Sequence, residues 1–500
     1  MSLCRAAYRG SIHTTRSFST PPILLPSRLF SQSFFRQDDR QWRNHPPSRS
    51  PKHNVTKVLL VGLAIGTGIG WGVNQYSGAT TRSSNKYGSP EDFAKAIEEL
   101  TSHLGPDKVS TNPDDLDSHG FSANDYHPGI SPSVVVYPET TEDVVLIVKT
   151  ATRFKMPVIP YSGATSLEGH FRASYDRWQH SSGGICVDLN RMDRILKIHP
   201  EDSDLVCQPA ARWMDINETL KEKGIPLFFP WKGRADVWHQ IDPAPGATIG
   251  VAVAQFPDVK AATQAVAEIL NRGVGIQCVE LVDDVFMRAT NTYGVSKRKW
   301  AEKDSLFFKF QGPTERSLKE TAEIVKGVVK KYGANGFELA RNREEANELW
   351  QDRKNAHYSG LALIPGSKGI ATDVCVPVSR LPELVHETKK DLAQVGLVST
   401  IVGHVGDGNF HALILFENDD EFGRAKGAVD RMVKRAIALD GTCTGEHGVG
   451  LGKKKYLVEE LGEGTVALMK TIKKAIDPLD LFNPGKLYPD EDSPDSREHR

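Results

Sequence analysis

The chain has 500 residues, of which 25% are charged and 39% are hydrophobic, and its net charge is −1. This length predicts two or three domains, and the composition is that of an ordinary globular protein. The near-zero net charge excludes a dedicated polyanion-binding protein, so nucleic acid is not expected as a partner. The six cysteines include no CxxC pair, so the sequence indicates neither a disulfide framework nor a cysteine metal site.

The N-terminal region is first basic and then apolar. Residues 1–37 are rich in arginine and serine and contain no acidic residue, which is typical of a mitochondrial transit peptide. Residues 55–76 carry no charge after Lys57 and consist largely of valine, leucine, isoleucine, alanine and glycine, which predicts a transmembrane anchor. Most of the flanking positive charge precedes this segment, so we expect an inner-membrane protein whose body faces the intermembrane space. A signal-like segment that is later removed is the competing interpretation.

A linker and a leading helix, residues 77–131, precede the first domain, and the helix is expected from Pro90 to Leu104. From residue 132 to 250 short strands alternate with helices, which predicts an α+β domain. The predicted strands are 134–137, 158–160, 185–189 and 205–208, and the predicted helices are 140–154 and 213–223. A glycine- and serine-rich turn at 161–170 is suited to holding the pyrophosphate of a cofactor.

The pattern changes at residue 251, where a second α+β domain begins that extends to residue 488. Its predicted strands are 251–256, 307–310, 372–376, 399–403 and 410–415, and its predicted helices are 259–271, 315–331, 343–358, 381–395 and 421–439. The last two strands are expected to pair, within a mostly antiparallel sheet that helices cover on one face. Residues 489–500 are charged and predict a disordered tail.

The loop between the last two strands offers metal ligands. His404 and His411 bracket a turn in which Gly406 and Gly408 let the chain reverse, so that both imidazoles can converge. Glu446 adds a carboxylate, and two nitrogens with one oxygen suit Zn²⁺ or another divalent first-row ion with an open position for substrate. Hydrogen-bonded histidines in a turn are the alternative interpretation.

His447 follows Glu446 directly in the sequence. If the backbone is extended there, the two side chains diverge, so His447 would stand beside the metal and serve as a general base. A metal beside an imidazole base can deprotonate an alcohol. Together with a redox cofactor in the first domain, this arrangement predicts the oxidation of a small hydroxy acid.

Six motifs carry a specific resemblance to a known family: residues 132–138, 160–170, 242–250, 403–411, 442–450 and 483–486. Together they closely resemble the flavin-dependent D-lactate dehydrogenases of mitochondria, in the vanillyl-alcohol-oxidase-type FAD superfamily. The resemblance implies an FAD-binding domain of the PCMH type, followed by an α+β C-terminal substrate (cap) domain with helices on a mostly antiparallel sheet. It also implies D-lactate or a related D-2-hydroxy acid as substrate, FAD and a divalent metal such as Zn²⁺ as cofactors, and cytochrome c as electron acceptor.

The resemblance further implies roles for individual residues. The cofactor-binding residues would fall into three groups. The loop that holds the pyrophosphate would contribute Ser162, Gly163, Ala164, Thr165, Ser166, Gly169 and His170. The segment that lines the flavin would contribute Pro245, Gly246 and Ile249, and Asn483 would lie near the flavin ring. His404, His411 and Glu446 would hold the metal. His447 would take the hydroxyl proton, and Arg353 would bind the substrate carboxylate as a charged fork.

The chain departs from the family pattern in its first domain. After Gly250 the family continues with a further stretch of flavin-domain sequence, whereas here Gly250 joins a segment that resembles the start of the next domain. Two short inserts, residues 172–182 and 231–241, interrupt motifs and lack strand or helix periodicity. We therefore expect an incomplete FAD domain, weak FAD binding and low stability. Ala164 stands where the family has glycine, which is a mild change if its φ is negative.

Three functions stay open at this point. The first is the oxidation of D-lactate with electrons passed to cytochrome c. The second is the dehydrogenation of another D-2-hydroxy acid, such as D-2-hydroxyglutarate. The third is a non-catalytic truncated product that cannot hold FAD, which the shortened first domain favours.

Overall fold

A computed structural model of the protein describes residues 86–122, 125–176, 181–225 and 248–489. All of them fall within one compact unit. The predicted transit peptide, the predicted anchor, the insert at 231–241 and the tail beyond Pro489 lie outside the described residues, as do Pro245 and Gly246. No helix among the described residues has the length and apolar composition needed to cross a membrane.

A small sheet forms the centre of the first half. The elements in chain order are α1 (Pro90–Leu104), β1 (Val109–Ser110), α2 (Pro113–Gly120), β2 (Val134–Val136), α3 (Thr141–Phe154), β3 (Val158–Tyr161), β4 (Ser174–Asp176), β5 (Ser181–Gly183), β6 (Ile185–Asp188), β7 (Ile195–His199), β8 (Asp204–Cys207) and α4 (Trp213–Glu222). The sheet order is β1-β2-β6-β3, in which β2, β6 and β3 are parallel and β1 is antiparallel to β2. Every residue of β2 and β6 is buried, as expected of parallel strands.

Local signals determine where the first helices begin. Ser89 caps α1 by accepting a hydrogen bond from the Asp92 amide, and Thr140 caps α3 by accepting one from the Asp143 amide. Both helices then bury apolar side chains against the sheet. β3 ends at Tyr161, so the glycine-rich turn lies at the carboxyl end of a parallel strand. Ligands of parallel sheets commonly bind at this end.

The first insert contains more structure than its sequence predicts. The expectation that 172–182 lacks strands is wrong in part, because β4 and β5 pair as an antiparallel hairpin. Arg172, the first residue of the insert, is completely buried, and its Nε donates a hydrogen bond to Asp125 at 3.0 Å. The first residue of the insert therefore lies in the interior of the domain.

A large antiparallel sheet forms the second half. The elements are β9 (Thr248–Gln255), α5 (Val259–Asn271), β10 (Ile276–Val282), α6 (Asp284–Tyr293), β11 (Ser305–Gly312), α7 (Glu315–Lys331), β12 (Asn335–Leu339), α8 (Arg343–Lys354), α9 (Ala356–Leu361), β13 (Lys368–Ala371), β14 (Val374–Cys375), α10 (Leu381–Val395), β15 (Ser399–Gly403), β16 (Asn409–Phe416), α11 (Asp419–Ala438), α12 (Leu457–Leu461) and α13 (Glu463–Ile476). The strand order is β12-β9-β11-β10-β15-β16-β13, with β14 also paired to β16. Each of these pairings is antiparallel, which confirms the predicted sheet type.

Strand β9 shows that this sheet is covered on both faces. Ala252 and Ala254 lie in a core with α5, α7, α10 and α11, whereas Val251 and Val253 lie in a second core with α6 and α8. The alternation follows from the two-residue period of a strand. The expectation of helices on one face only is therefore wrong.

Two predicted elements of the second half are interrupted. The predicted helix 343–358 is divided at Asn355 into α8 and α9. The predicted strand 372–376 is shortened to β14, because Thr372 and Asp373 separate β14 from β13. Asp373 leaves the ladder because its side chain bonds the backbone of residues 445–447. The interruption thus positions a functional segment of the chain.

Candidate active site

The histidine loop connects β15 to β16. These strands pair antiparallel, so His404, directly after β15, comes beside His411 in β16. The two imidazole rings lie 5.6 Å apart. Gly408 adopts φ = +78° in the turn, and a Cβ atom there would lie 2.0 Å from the Val376 carbonyl oxygen, so this position requires glycine.

Both rings point at one carboxylate oxygen. His404 Nε2 lies 3.3 Å and His411 Nε2 lies 3.2 Å from Oε1 of Glu446. The opposite ring nitrogens face acceptors, since His404 Nδ1 lies 2.9 Å from Glu280 Oε1 and His411 Nδ1 lies 2.9 Å from the Thr372 carbonyl oxygen. These acceptors favour hydrogens on the Nδ1 atoms, which leaves lone pairs on the Nε2 atoms. Three lone-pair-bearing atoms then converge, so a proton or a metal ion must lie among them. We name His404, His411 and Glu446 the metal cluster.

The pKa values of the cluster also indicate that a positive charge is favoured among its three atoms. Burial alone would lower the pKa of His404, but the Glu280 and Glu446 carboxylates raise it to about 10. Hydrogen bonds from His404 and His411 hold the pKa of Glu446 well below its usual range. A divalent ion could take the place of the shared proton, because metal binding and proton release are coupled. The donor set of two nitrogens and one oxygen therefore fits the predicted metal.

Asp373 organises the catalytic loop, which we define as residues 444–450. Its Oδ2 atom accepts hydrogen bonds from the amides of Gly445, Glu446 and His447 (2.8, 2.9 and 2.8 Å), from Thr444 Oγ1 (2.6 Å) and from Lys453 Nζ (3.3 Å). Burial would raise the pKa of Asp373, but the charge of Lys453 and the neighbouring imidazoles lower it, so it remains an anion. Sequence reasoning missed this residue, because a single aspartate inside a strand pattern was the only signal.

His447 stands beside the metal cluster. Its ring stacks on that of His411, with centroids 4.8 Å apart and planes 10° apart, and its amide is held by Asp373. Its Nδ1 atom is buried and has no hydrogen-bond partner in the described part of the chain. Burial and then the charge of His411 lower the pKa of His447 to about 3, so the ring is neutral near pH 7. A neutral imidazole with an open nitrogen can accept a proton from a ligand placed there.

A second possible ligand group, Asp373, His411 and His447, overlaps the metal cluster. Asp373 is the weaker ligand of the two carboxylates. Its Oδ2 holds the catalytic loop, and its Oδ1 accepts a hydrogen bond from Asn409 Nδ2 at 2.9 Å. The Glu446 side chain, by contrast, is 45% exposed, and its partners among the described residues are the two histidines of its own cluster. His404, His411 and Glu446 are therefore the better candidate for a metal site.

Arg353 in α8, the predicted carboxylate-binding residue, is linked to His404 of the metal cluster by the Glu280 carboxylate. Arg353 NH2 lies 2.8 Å from Glu280 Oε2, and the other oxygen of the same carboxylate bonds His404. Burial would raise the pKa of Glu280, but His404 and Arg353 lower it. The Nε atom of Arg353 is buried without a hydrogen-bond partner in the described residues, so it can still donate to a substrate. Sequence reasoning missed Glu280, which lies in β10, an element that the pattern analysis did not identify.

Replacing Glu280 with glutamine is expected to weaken metal binding by about 10–100-fold, because the carboxylate orients His404 from behind. The measurement is a calorimetric titration of Zn²⁺ into metal-free protein. Glu315→Gln, an exposed site on α7, is the matched control and should leave the affinity unchanged. Equal affinities in both variants would show that His404 holds its orientation without Glu280.

The cofactor loop, residues 162–170, follows β3. The amides of residues 162–166 donate no hydrogen bond to any described residue, and Ala164 has φ = +51°. Free amides around a left-handed residue form a concave site for an anion such as a pyrophosphate, so the loop fits FAD. The φ of Ala164 is positive, contrary to the condition under which alanine would be a mild change from glycine. A residue with a Cβ atom costs about 1–2 kcal/mol in that region. The change from glycine is therefore not mild.

The cofactor loop lies against the catalytic loop. A Cβ atom on Gly448, next to His447, would lie 3.0 Å from His170 Nε2. Lys486 Nζ donates to the carbonyl oxygens of His170 and Arg172 at 2.5 and 2.6 Å. Asn483 enters the same junction, since its amide donates to the Val158 carbonyl oxygen at 3.0 Å and its Oδ1 accepts from Lys486. Of the predicted cofactor-binding residues, His170 and Asn483 thus meet at this junction, whereas Pro245 and Gly246 lie outside the described residues. Ile249 is described only through its backbone in β9.

Comparisons with known proteins agree with this architecture. A family model described as an FAD binding domain matches residues 132–232, and one described as the C-terminal domain of FAD linked oxidases matches residues 247–487. Among solved structures, 4-ethylphenol oxidase from Gulosibacter chungangensis is similar with a TM-score of 0.63 at 15% identity, over 81% of this chain and 98% of that chain. p-Cresol methylhydroxylase is similar with a TM-score of 0.61 at 15% identity, with the same coverage of both chains. These likenesses show the PCMH-type fold.

Several curated relatives share about a third of their sequence with this chain. The D-lactate dehydrogenase [cytochrome], mitochondrial, of Arabidopsis thaliana is 34% identical over 80% of this chain and 81% of its own length. The proteins of the same kind from Kluyveromyces lactis and Saccharomyces cerevisiae are each 32% identical, over 81% and 82% of this chain and 83% and 82% of their own lengths. The plant alignment spans 483 positions, whereas 80% of 500 residues is 400, so about 80 aligned positions have no residue of this chain. Identity at this level over four fifths of both chains places the protein in the FAD-linked oxidoreductase family of the mitochondrial D-lactate dehydrogenases (cytochrome).

Proposed function

We propose that this protein oxidises D-lactate to pyruvate in the mitochondrion, with FAD as the bound redox cofactor and cytochrome c as the electron acceptor. The relatives of this family carry that activity in their names. The observation that carries the proposal is the position of His447. Its ring stacks on His411 of the metal cluster, and the next residue, Gly448, lies against His170 of the cofactor loop. A hydroxyl group bound at this junction would lose its proton to the open Nδ1.

Each residue of the site has its own role in the proposed reaction. When bound, FAD would supply the two-electron acceptor, and a divalent metal such as Zn²⁺ held by the metal cluster would lower the pKa of the substrate hydroxyl. His447 Nδ1 accepts the hydroxyl proton. Arg353 Nε binds the substrate carboxylate, with its guanidinium held in place by Glu280. The amides of residues 162–166 would hold the pyrophosphate of the cofactor, and Asn483 would lie near the flavin.

The cellular arrangement is also part of the proposal. The relatives are named mitochondrial and cytochrome-linked. A transit peptide at 1–37 and an anchor at 55–76 would place the body, with its FAD domain at 132–250 and its C-terminal domain at 251–488, on the inner membrane facing the intermembrane space. Cytochrome c would then be within reach of the reduced cofactor.

A second candidate, a non-catalytic product that cannot hold FAD, is favoured by one observation. About 80 positions of the plant relative have no counterpart in this chain. A sheet of short strands that lacks such a segment leaves edges and apolar faces uncovered. Weak binding of FAD is the expected consequence.

The test is the spectrum of the purified protein before and after substrate. The proposal predicts an oxidised-flavin absorbance band that D-lactate bleaches under anaerobic conditions, with L-lactate as the control. Bleaching by D-2-hydroxyglutarate but not by D-lactate would assign the other hydroxy-acid activity. A colourless protein that takes up no FAD on titration would support the non-catalytic product.

A further inference from the structure

A buried lysine stands between the cofactor loop and the anchor of the catalytic loop. Lys453 lies just after the catalytic loop and is 4% exposed. Its Nζ atom lies 3.5 Å from Oε1 of Glu168 in the cofactor loop and 3.3 Å from Oδ2 of Asp373. It also donates a hydrogen bond to the Asp373 carbonyl oxygen at 2.9 Å. Since both carboxylates are buried as well, one ammonium group bridges two buried anions.

The segment that carries Lys453 packs directly on Glu168. The Leu451 amide donates a hydrogen bond to the Glu168 carbonyl oxygen at 2.8 Å. A Cβ atom on Gly450 would lie 2.1 Å from that carbonyl oxygen, and one on Gly452 would lie 2.1 Å from Glu168 Oε2. Both distances are too short for a Cβ atom, so the two glycines permit this close approach. The backbone beside Lys453 and the Glu168 residue are therefore in direct contact, in addition to the ion pair between their side chains.

Glu168 is connected to the amides that would hold the pyrophosphate of FAD. Ser166 is the last of the residues that offer these amides. Its Oγ atom accepts hydrogen bonds from the amides of Glu168 and His170 at 3.4 and 3.2 Å. Glu168 thus belongs to the same hydrogen-bonded turn as the proposed pyrophosphate site. An anion that orders residues 162–166 would therefore also restrict the position of Glu168.

The other partner of Lys453 controls the direction of a metal ligand. Asp373 holds the backbone amides of residues 445–447, which include the amide of Glu446. Contacts therefore continue from Glu168 through Lys453 and Asp373 to Glu446. Attraction between opposite charges is strong in a buried site, because little water screens it. A continuous path of packed and charged contacts of this kind can carry energetic coupling between two sites.

We propose that Lys453 is a positioning residue that couples the cofactor loop to the metal cluster, so that bound FAD strengthens metal binding. The inference rests on the proposed function, because it takes FAD and a divalent metal as the two ligands. Each ligand orders one of the two loops, and Lys453 passes part of that order to the other loop. The ligand that binds second then has less of the chain to order, which gives positive cooperativity. By linkage, the metal strengthens FAD binding by the same factor.

The test is calorimetric titration of Zn²⁺ into metal-free, full-length protein, first without FAD and then with saturating FAD. In the wild-type protein, FAD should raise the Zn²⁺ affinity at least about fivefold. Lys453→Met keeps the length of the side chain but removes its charge, so the ratio of the two affinities should fall below about twofold. Lys453→Arg retains the charge and should restore part of the ratio. The FAD affinity, measured by flavin fluorescence, should rise by the same factor when Zn²⁺ is present.

The ratio separates coupling from a merely structural role. If Lys453 only stabilised the fold, Lys453→Met would lower the Zn²⁺ affinity equally with and without FAD, and the ratio would not change. That result would overturn the coupling, as would equal wild-type affinities with and without FAD. Lys319→Met, at an exposed site on α7, is the matched control and should keep the wild-type ratio. Glu168→Gln removes the charge on the cofactor side, so it should also lower the ratio, and it decides the question if Lys453→Met does not fold.

The coupling and the proposed function fail in different ways. A protein that shows the coupling but whose flavin is not bleached by D-lactate contradicts the proposed function alone. A protein that binds FAD and Zn²⁺ independently of each other contradicts the coupling alone. A protein that does not bind FAD contradicts both.

Discussion

Replacing Asp373 with alanine is expected to lower the free energy of unfolding by about 3–5 kcal/mol. The substitution removes the acceptor of three loop amides and the carboxylate partner of the buried Lys453. The three amides lose the acceptor that they bond, and the buried Lys453 loses one of its two carboxylate partners, so the loss exceeds the value of ordinary surface bonds. The measurement is equilibrium unfolding in urea, compared with the wild-type protein.

The same substitution should also abolish the metal cluster. The Glu446 amide is one of those held by Asp373, so the loop that aims Glu446 at the histidines would lose its anchor. Asp373→Asn keeps the size and one acceptor oxygen but not the charge, so an intermediate loss is expected. Asp202→Ala, at an exposed site, is the control for removal of an aspartate. A wild-type unfolding curve for Asp373→Ala would show that the loop is held by other contacts.

The sequence predicted elements well where the signals are local. Helices α5 and α7 begin and end as predicted, because Asp258 and Thr314 provide side-chain caps and the apolar residues follow a helical period. The pairing of β15 with β16 was equally predictable, since the glycine-containing turn lies between them. In these cases the residues that determine the structure are close together in the chain.

The residues that complete the site were not predictable in this way. Glu280 is 124 residues from His404 and 73 from Arg353, and Asp373 is 74 residues from His447. A single acidic residue within a strand pattern does not indicate which loop it will meet, because only the packed sheet brings the two together. The predicted strand 372–376 is shortened to β14 for this reason, since the side chain of Asp373 bonds the catalytic loop and Asp373 leaves the ladder.

Replacing His447 with alanine is expected to slow the reduction of bound flavin by D-lactate by about 10²–10⁴-fold. The variant loses the open Nδ1, while His404, His411 and Glu446 remain. Zn²⁺ affinity should therefore be nearly unchanged, as measured by calorimetry, whereas His411→Ala should lose the metal. Stopped-flow measurement of flavin bleaching gives the rate, and added imidazole should restore part of it in His447→Ala.

The rate of flavin reduction and the Zn²⁺ affinity together distinguish three possible roles of His447: proton acceptor, metal ligand and packing residue. His447 stacks on His411, and Asp373, His411 and His447 could also be read as metal ligands. If His447 were a ligand, His447→Ala would lose Zn²⁺ along with the rate, and imidazole would restore both. If it were only a packing residue, stability would fall slightly and the rate would not. A lost rate with retained metal, partly restored by imidazole, is the outcome expected of a proton acceptor beside the cluster, because the variant removes the open Nδ1 and leaves the three ligands in place.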